Sequence, residues 1–194
     1  MRDVREVERR RQMGRDLGDP PYTPEQLASL IDDVPDFPKK GILFKDITTL
    51  LKDPRAFKQS IDQLTDRVRM HLPRVVIGME SRGFIFAAPI AYQLDAGFVP
   101  VRKLGKLPGE VISTEYDLEY GTNTLELHSD AITPGDRVLI VDDLLATGGT
   151  VSATIELVER LEGKVVAVAF LVELTALNGR DRLHAYEVVS LIQF

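Results

Sequence analysis

The chain of 194 residues, 44% hydrophobic and 28% charged, is long enough for one domain with a substantial core and has the composition of an ordinary soluble globular protein. Its net charge of −6 argues against unspecific binding to nucleic acid or to an anionic membrane surface, and the absence of cysteine excludes disulfides and thiolate metal sites. No apolar run approaches the roughly 18 residues of a membrane span, and the charged N-terminus lacks an apolar signal core, so a cytoplasmic protein is expected.

Residues 1–22 read as a charged arm, with Arg9-Arg10-Arg11 and a turn-rich stretch from Gly14 to Pro21. A solvated, frayed segment fits this composition; dimer or nucleic-acid contacts are the alternative. Residues 23–194 are expected to form a single domain. Thr23 to Asp33 reads as a helix, with Thr23 as N-cap, Pro24 at the first helical position and Gln26 completing a capping box. Pro35 and Pro38 then enforce extended chain. Pro38 to Thr48, PKKGILFKDIT, mixes Ile42, Leu43 and Phe44 with Lys45 and Asp46, and reads as a strand-like loop with Phe44 packed in the core. Asp53 to Leu72 is the next helix, capped by Asp53 and opened by Pro54, with Phe57, Ile61, Leu64 and Val68 at helical spacing.

Val75 to Met79 reads as a short buried strand that runs into Glu80-Ser81-Arg82-Gly83, followed by a helix over Phe84 to Leu94 that Pro89 is expected to kink. The loop offers a hydroxyl, a cation and a glycine, which suits anionic oxygens; Arg82 would serve equally as a surface ion-pair partner. Phe98 to Val101 is a third strand, leading into Arg102-Lys103. Residues 104–121 contain three glycines and a proline and read as a flexible hood with short strand pieces, because so long a connection is usually functional. Thr124 to Leu127 resumes a strand.

The most informative stretch is Arg137 to Thr150, RVLIVDDLLATGGT. Val138 to Val141 is expected to be a strand buried on both faces, with Asp142 and Asp143 at its end. The small residues Ala146 to Thr150 follow, then a helix to Glu162 stopped by Gly163. Glycines let the backbone approach an anion, N–H groups of the loop and first helical turn point at it, and Thr147 and Thr150 add hydroxyl donors. The acids repel phosphate but can accept hydrogen bonds from sugar hydroxyls. Such a run is organised for a sugar phosphate. No lysine follows the glycines and the G-x-G-x-x-G spacing is missing, so neither a Walker loop nor a dinucleotide fingerprint is present. Val165 to Leu171 is a strongly apolar strand, Glu173 to Arg182 is turn-rich, and Val188 to Ile192 is a last strand. The alternation implies an α/β fold with an open, mainly parallel twisted sheet, helices on both faces, and ligands at the carboxyl ends of the strands.

VLIVDDLLATGGT resembles the phosphoribosyl-pyrophosphate motif of the type I phosphoribosyltransferases. Relatives that use hypoxanthine or guanine typically carry Asp where this chain has Ala146, and the LLATGGT form resembles the adenine-specific branch. The likeness extends from about Val34 to the C-terminus through PDFPKKGILFKDIT, ESRGF, RKLGKLPG, YDLEYG and LVELTALNGR. It implies the type I fold with a small hood, and transfer of the phosphoribosyl group from phosphoribosyl pyrophosphate to adenine, giving AMP and pyrophosphate in purine salvage. Asp142 and Asp143 would hold the ribose, and Ala146, Thr147, Gly148, Gly149 and Thr150 the 5′-phosphate. Ser81, Arg82, Lys103 and Lys106 would face the pyrophosphate. Leu43, Phe44, Lys45 and Leu174 would surround adenine, with main-chain groups of Leu43 and Lys45 reading its edge and the Phe44 ring stacking on it. Lys45 stands where some members have Arg. Glu119 and Tyr120 match the family's catalytic loop, with Glu119 handling the proton of the attacking purine nitrogen. The resemblance also implies Mg²⁺ held mainly by substrate rather than by a protein metal site, a cis peptide at Glu80–Ser81, and a homodimer; neither nucleic acid nor membrane is an expected partner.

Two rivals stand beside this reading. A regulator that senses phosphoribosyl pyrophosphate would keep the central motif but need a DNA-binding domain, which is not visible, and the acidic balance disfavours DNA. An enzyme for another purine is disfavoured by Ala146 and by the Phe44-Lys45-Asp46 segment.

Overall fold

The computed structural model describes residues 20–117 and 122–194. Thr23 caps helix α1 (Pro24–Ala28) with the expected capping box: its hydroxyl accepts the Gln26 N–H at 3.3 Å, and the Gln26 side chain accepts the Thr23 N–H at 2.9 Å. The helix then stops well short of Asp33. Asp32–Pro35 form strand β1, antiparallel to β2 (Leu43–Asp46), with Val34 opposite Phe44. Cross-strand pairing and the Asp33–Lys45 ion pair outweigh the local helical pattern at this point. Phe44 is correspondingly not a core residue. It is half-buried, edge-on to Phe37 with ring centroids 5.1 Å apart.

Helix α2 (Thr48–Lys52) was not evident from the sequence. Helix α3 (Pro54–Val68) starts where expected, because Asp53 accepts the N–H groups of Arg55 and Ala56 at 2.9 and 2.8 Å. Strand β3 (Val75–Met79), helix α4 (Gly83–Gln93) with Pro89 inside it, and strand β4 (Gly97–Lys103) follow. Next come β5 (Val111–Asp117), β6 (Thr122–His128), β7 (Arg137–Leu145), α5 (Gly149–Arg160), β8 (Lys164–Glu173) and β9 (Val188–Gln193). The seven-stranded sheet has the order β5-β6-β4-β3-β7-β8-β9. The β4-β3-β7-β8-β9 part is parallel, and β6 and β5 join it antiparallel. The peptides Phe37–Pro38 and Glu80–Ser81 are cis, the second as the resemblance implies.

Strand periodicity splits the core in two. Leu139 and Val141 point to the face covered by α3 and α4, where they meet Leu64 and Phe86. Val138 and Ile140 point to the other, where Leu157 and Val158 of α5 cover them. A strand buried on both sides by helices must be apolar at every position, which is why the VLIV run was so legible. It continues through both acids to Leu145 rather than ending at Val141.

Residues 111–117 differ from the short strand pieces expected there. They form a regular seven-residue strand whose Ile112 and Tyr116 pack on the second core. Thr114 donates to Glu156 of α5 at 2.8 Å, and Arg160 donates to the Ser113 carbonyl at 2.6 Å. The alternation along Val111 to Tyr116 is the strand signal that the polar character of the segment masked.

Candidate active site

The carboxyl ends of β3, β4, β7 and β8 lie side by side, as the sheet order requires. At the end of β7, Oδ1 of Asp142 accepts the N–H of Asp143 at 2.9 Å. Asp143 is nearly buried, and Nε of Arg82 lies 2.9 Å from its Oδ2. That N–H is not aimed along the line between them, so Oδ2 has no hydrogen-bond partner. Burial, then repulsion by Asp143, pushes the Asp142 carboxyl well above the usual aspartate range. Burial raises Asp143 too, while Arg82 pulls it back. Carboxylates short of donors in a desolvated place gain most from a ligand that supplies hydroxyl groups. Gly83 makes room for the pair: a Cβ there would sit 2.6 Å from Oδ1 of Asp142 and 3.0 Å from the Val141 carbonyl.

Beyond β7 the chain turns into an open pocket of about 70 Å³ lined by Asp142, the loop from Ala146 to Thr150, and Phe170, among others. Gly148, at φ +82°, is the N-cap of α5, whose first-turn N–H groups have no intrahelical acceptors. This loop and helix start present free N–H donors of the kind that can hold an anion. Gly148 is fixed by space as well as by dihedral angle, since a Cβ would lie 2.7 Å from the Gly179 carbonyl oxygen. A Cβ on Gly179 would in turn collide with the Ala146 carbonyl. Sequence reasoning did not single out Gly179; its only signal was membership of the LVELTALNGR run.

At the end of β3, the Glu80 carboxylate accepts from Nε and Nη2 of Arg102 at 3.2 and 3.3 Å and from the Lys103 N–H at 3.1 Å. Its bonds to Arg102 hold it below the ordinary glutamate range. Arg102 also donates to the Lys106 carbonyl at 3.0 Å, and Glu126 accepts the Gly105 N–H at 2.9 Å. Two acids that sequence reasoning passed over therefore shape the turn from Arg102 to Lys106. Lys103 and Lys106 stand exposed on it, and Ser81 is exposed beside Arg82.

Arg82 joins this region to β2, because its guanidinium carbon lies 5.0 Å from the centroid of the Phe44 ring while its Nε reaches Asp143. Leu43 is 52% exposed. The Lys45 ammonium is engaged elsewhere, 2.6 Å from Asp33 and 3.7 Å from the centre of the Phe194 ring. Leu174, half-buried at the end of β8, donates its N–H to the Leu145 carbonyl at 2.9 Å. The structure thus links Phe44, Arg82 and Asp143 in one chain of contacts, sets Lys103 and Lys106 on one turn, and fastens Leu174 to the end of β7. Glu119 and Tyr120 lie outside the described residues.

The profile of the phosphoribosyl transferase domain matches residues 48–194. The adenine phosphoribosyltransferase of Alkaliphilus metalliredigens is 59% identical over 168 residues, spanning 87% of this chain and 99% of that protein. The crystal structure of the adenine phosphoribosyltransferase from Thermoanaerobacter pseudethanolicus superposes with a TM-score of 0.87 at 55% identity, covering 89% of this chain and 100% of that one. The Saccharomyces cerevisiae adenine phosphoribosyltransferase, solved with an imino-altritol bisphosphate and adenine, gives a TM-score of 0.83 at 39% identity, covering 87% and 98% of the two chains.

Proposed function

The chain belongs to the adenine phosphoribosyltransferases of the phosphoribosyl transferase family, and from that premise we propose how its residues divide the work. The reaction is adenine plus phosphoribosyl pyrophosphate giving AMP and pyrophosphate, in purine salvage. The loop from Ala146 to Thr150 binds the 5′-phosphate through backbone N–H groups and the hydroxyls of Thr147 and Thr150. Asp142 and Asp143 accept hydrogen bonds from the ribose hydroxyls. Ser81, Arg82, Lys103 and Lys106 face the pyrophosphate, and Arg82 exchanges Asp143 for that anion when it arrives. Adenine stacks on Phe44, with main-chain groups of Leu43 and Lys45 at its edge and Leu174 against it. The observation that carries this reading is the acid pair beside the anion pocket at the end of β7.

Departure of pyrophosphate from the anomeric carbon develops positive charge on the sugar, as in glycosyl transfer. The protein contributes positioning and charge stabilisation: the phosphate loop fixes one end of the sugar, the cations receive the leaving group, and the acid pair faces the ring. Glu119 takes up or stabilises the proton that the purine nitrogen loses, with Tyr120 beside it on the same loop.

Among the described residues no group of three or more His, Cys, Asp or Glu side chains is arranged to hold a metal by itself. Two adjacent carboxylates next to a polyphosphate fit Mg²⁺ carried in on substrate oxygens, with Asp142 and Asp143 facing it through the ribose hydroxyls. Bound there, the ion would offset negative charge on the pyrophosphate. The chain acts as a homodimer in the cytoplasm. Small closed homo-oligomers are common among such enzymes, and the salvage substrates are intracellular metabolites. Light scattering returning a monomer mass at micromolar concentration would remove the dimer.

The test of the activity is a product assay with phosphoribosyl pyrophosphate and adenine, hypoxanthine, guanine and xanthine in parallel. AMP from adenine, with little nucleotide from the others, is expected. Equal turnover of hypoxanthine or guanine would overturn the adenine assignment.

A further inference from the structure

Apart from Leu174, the segment from Glu173 to Arg180 has no part in the chemistry described above, yet it is heavily tied near the site. Glu173 is 4% exposed at the end of β8. Its carboxylate takes a two-pronged contact from Arg180, at 2.6 Å from Nε and 2.7 Å from Nη2. It also accepts from Oγ of Ser190 at 2.5 Å and from the Gln193 side chain at 3.2 Å. Arg180 further donates to the Val188 carbonyl at 3.0 Å and to Oγ of Ser190 at 2.9 Å. The guanidinium is thereby locked to the ends of β8 and β9. A planar fork with all its partners in place is a rigid anchor that lysine cannot reproduce.

The residue next to this anchor is Gly179, and Gly179 is the back wall of the phosphate loop. Its carbonyl oxygen abuts Gly148, and its own Cα is pressed so close to the Ala146 carbonyl that no side chain fits. The two ends of the segment are secured differently. The Leu174 end is held by the main chain: Leu174 N–H to the Leu145 carbonyl, Thr175 N–H to the Phe194 carbonyl, and Phe194 N–H to the Glu173 carbonyl, each at 2.9 Å. The Gly179 end has local turn bonds, Asp181 N–H to the Asn178 carbonyl at 3.0 Å among them, and Leu183 in the core, and its tie to the ends of β8 and β9 is the Arg180 side chain.

We propose that Glu173 and Arg180 are positioning residues, whose ion pair closes the segment into a bracket that holds the Ala146–Gly148 backbone in its anion-binding shape. The inference rests on the assignment of Ala146–Thr150 to the 5′-phosphate. Because the Leu174 end is fastened independently, loosening Arg180 weakens phosphate binding while leaving the base side nearly intact. Glu173→Gln, which keeps shape and removes charge, acts in the same direction as loss of Arg180.

Purified full-length Arg180→Gln, Arg180→Lys, Glu173→Gln and Thr150→Val proteins test it, by calorimetry with ribose 5-phosphate and by the KM for each substrate. A hydrogen-bonded charge pair of this kind corresponds to a change of roughly tenfold or more. Arg180→Gln should therefore raise the Kd for ribose 5-phosphate and the KM for phosphoribosyl pyrophosphate by about that factor, with the KM for adenine little changed. Arg180→Lys should show the same split at smaller size, and it decides the matter if Arg180→Gln does not fold. Unchanged ribose 5-phosphate affinity in a folded Arg180 variant, or an equal rise in both KM values, overturns the bracket. If Thr150→Val loses ribose 5-phosphate affinity while the Arg180 variants keep it, the loop assignment stands and the bracket falls. If Thr150→Val also binds normally, the loop assignment itself fails and the bracket with it.

Discussion

At the end of β7 the site is built inward. Asp143 is nearly buried, Gly83 leaves just enough room for Asp142, and Gly148 and Gly179 are packed until neither can carry a Cβ. At β2 the site is built outward: Leu43 is half exposed, Phe44 shows part of its ring, and the Lys45 side chain leans away to Asp33 and Phe194. The half proposed for the phosphoribosyl group is thus shaped by the core before any ligand arrives, whereas the half proposed for the base is a short two-stranded edge. The difference follows from the ligands. A 5′-phosphate is held well by several fixed N–H groups, which a strand-to-helix junction in the core supplies. A flat base needs an apolar ring and a peptide edge, which an exposed hairpin supplies as well.

The largest effect is expected where neither half provides the chemistry. Glu119→Gln keeps the size of the side chain and removes the proposed proton acceptor, so turnover should fall by about 10²–10⁴-fold. The affinity for phosphoribosyl pyrophosphate should stay near normal. Single-turnover kinetics would check this, and a variant with near-wild-type chemistry would take the proton role away from Glu119.

Next comes the test of rigidity in the inward half. Gly148→Ala puts a side chain at φ +82° and 2.7 Å from the Gly179 carbonyl. The backbone strain alone is about 1–3 kcal/mol, so both the thermal midpoint and the use of phosphoribosyl pyrophosphate should drop, while the KM for adenine holds. An alanine variant with normal kinetics would mean that the loop is softer than its packing implies.

Asp142→Asn should weaken use of phosphoribosyl pyrophosphate by roughly tenfold, the value of a hydroxyl–carboxylate hydrogen bond. It should also stabilise the protein at neutral pH. The Asp142 carboxyl is raised in the folded state by burial first and by Asp143 second. A raised acid makes no difference to stability below its unfolded value, near 3.8, where both states are protonated. Stability then falls as pH rises past that value toward the raised folded one, because the unfolded chain ionises first. The asparagine variant escapes that loss, so its advantage in thermal midpoint should be present at pH 7 and shrink as pH approaches 4. An advantage that grows on acidification would contradict the electrostatic account of the pair.

Lys45→Arg should give the smallest effect. If only the backbone of residue 45 reads adenine, its side chain matters through the contacts with Asp33 and Phe194, both of which a longer cation can make. Adenine KM should stay within a small factor of wild type; a large rise would mean that the Lys45 ammonium itself meets the base.

The same contrast governs what could be read from the sequence. The inward half is contiguous: strand, acids, glycine loop and helix start follow one another from Arg137 to Thr150, and each leaves a local mark. Its supports are distant in sequence, so Gly179, Arg180 and the bonds of the Glu80 carboxylate to Arg102 showed nothing of their own until the chain was folded. The outward half left weaker marks. Thr23 and Gln26 signalled the start of α1 correctly, but residues up to Asp33 looked helical because their pairing partners in β2 lie ten or more residues away. Phe44 looked like core because an aromatic residue among aliphatics usually is, whereas it stands half-buried beside Arg82. The strand over Val111–Asp117 was hidden because its outward residues are polar.

The central claim is that the phosphoribosyl half is already formed in the free protein. A crystal structure with AMP bound tests it most directly. The account predicts the 5′-phosphate on the backbone of Ala146 to Thr150, the ribose hydroxyls on Asp142 and Asp143, and the loop backbone where it stands now, with Gly179 still against Gly148. A phosphate seated elsewhere, or a loop that has to leave Gly179 to receive it, would contradict it.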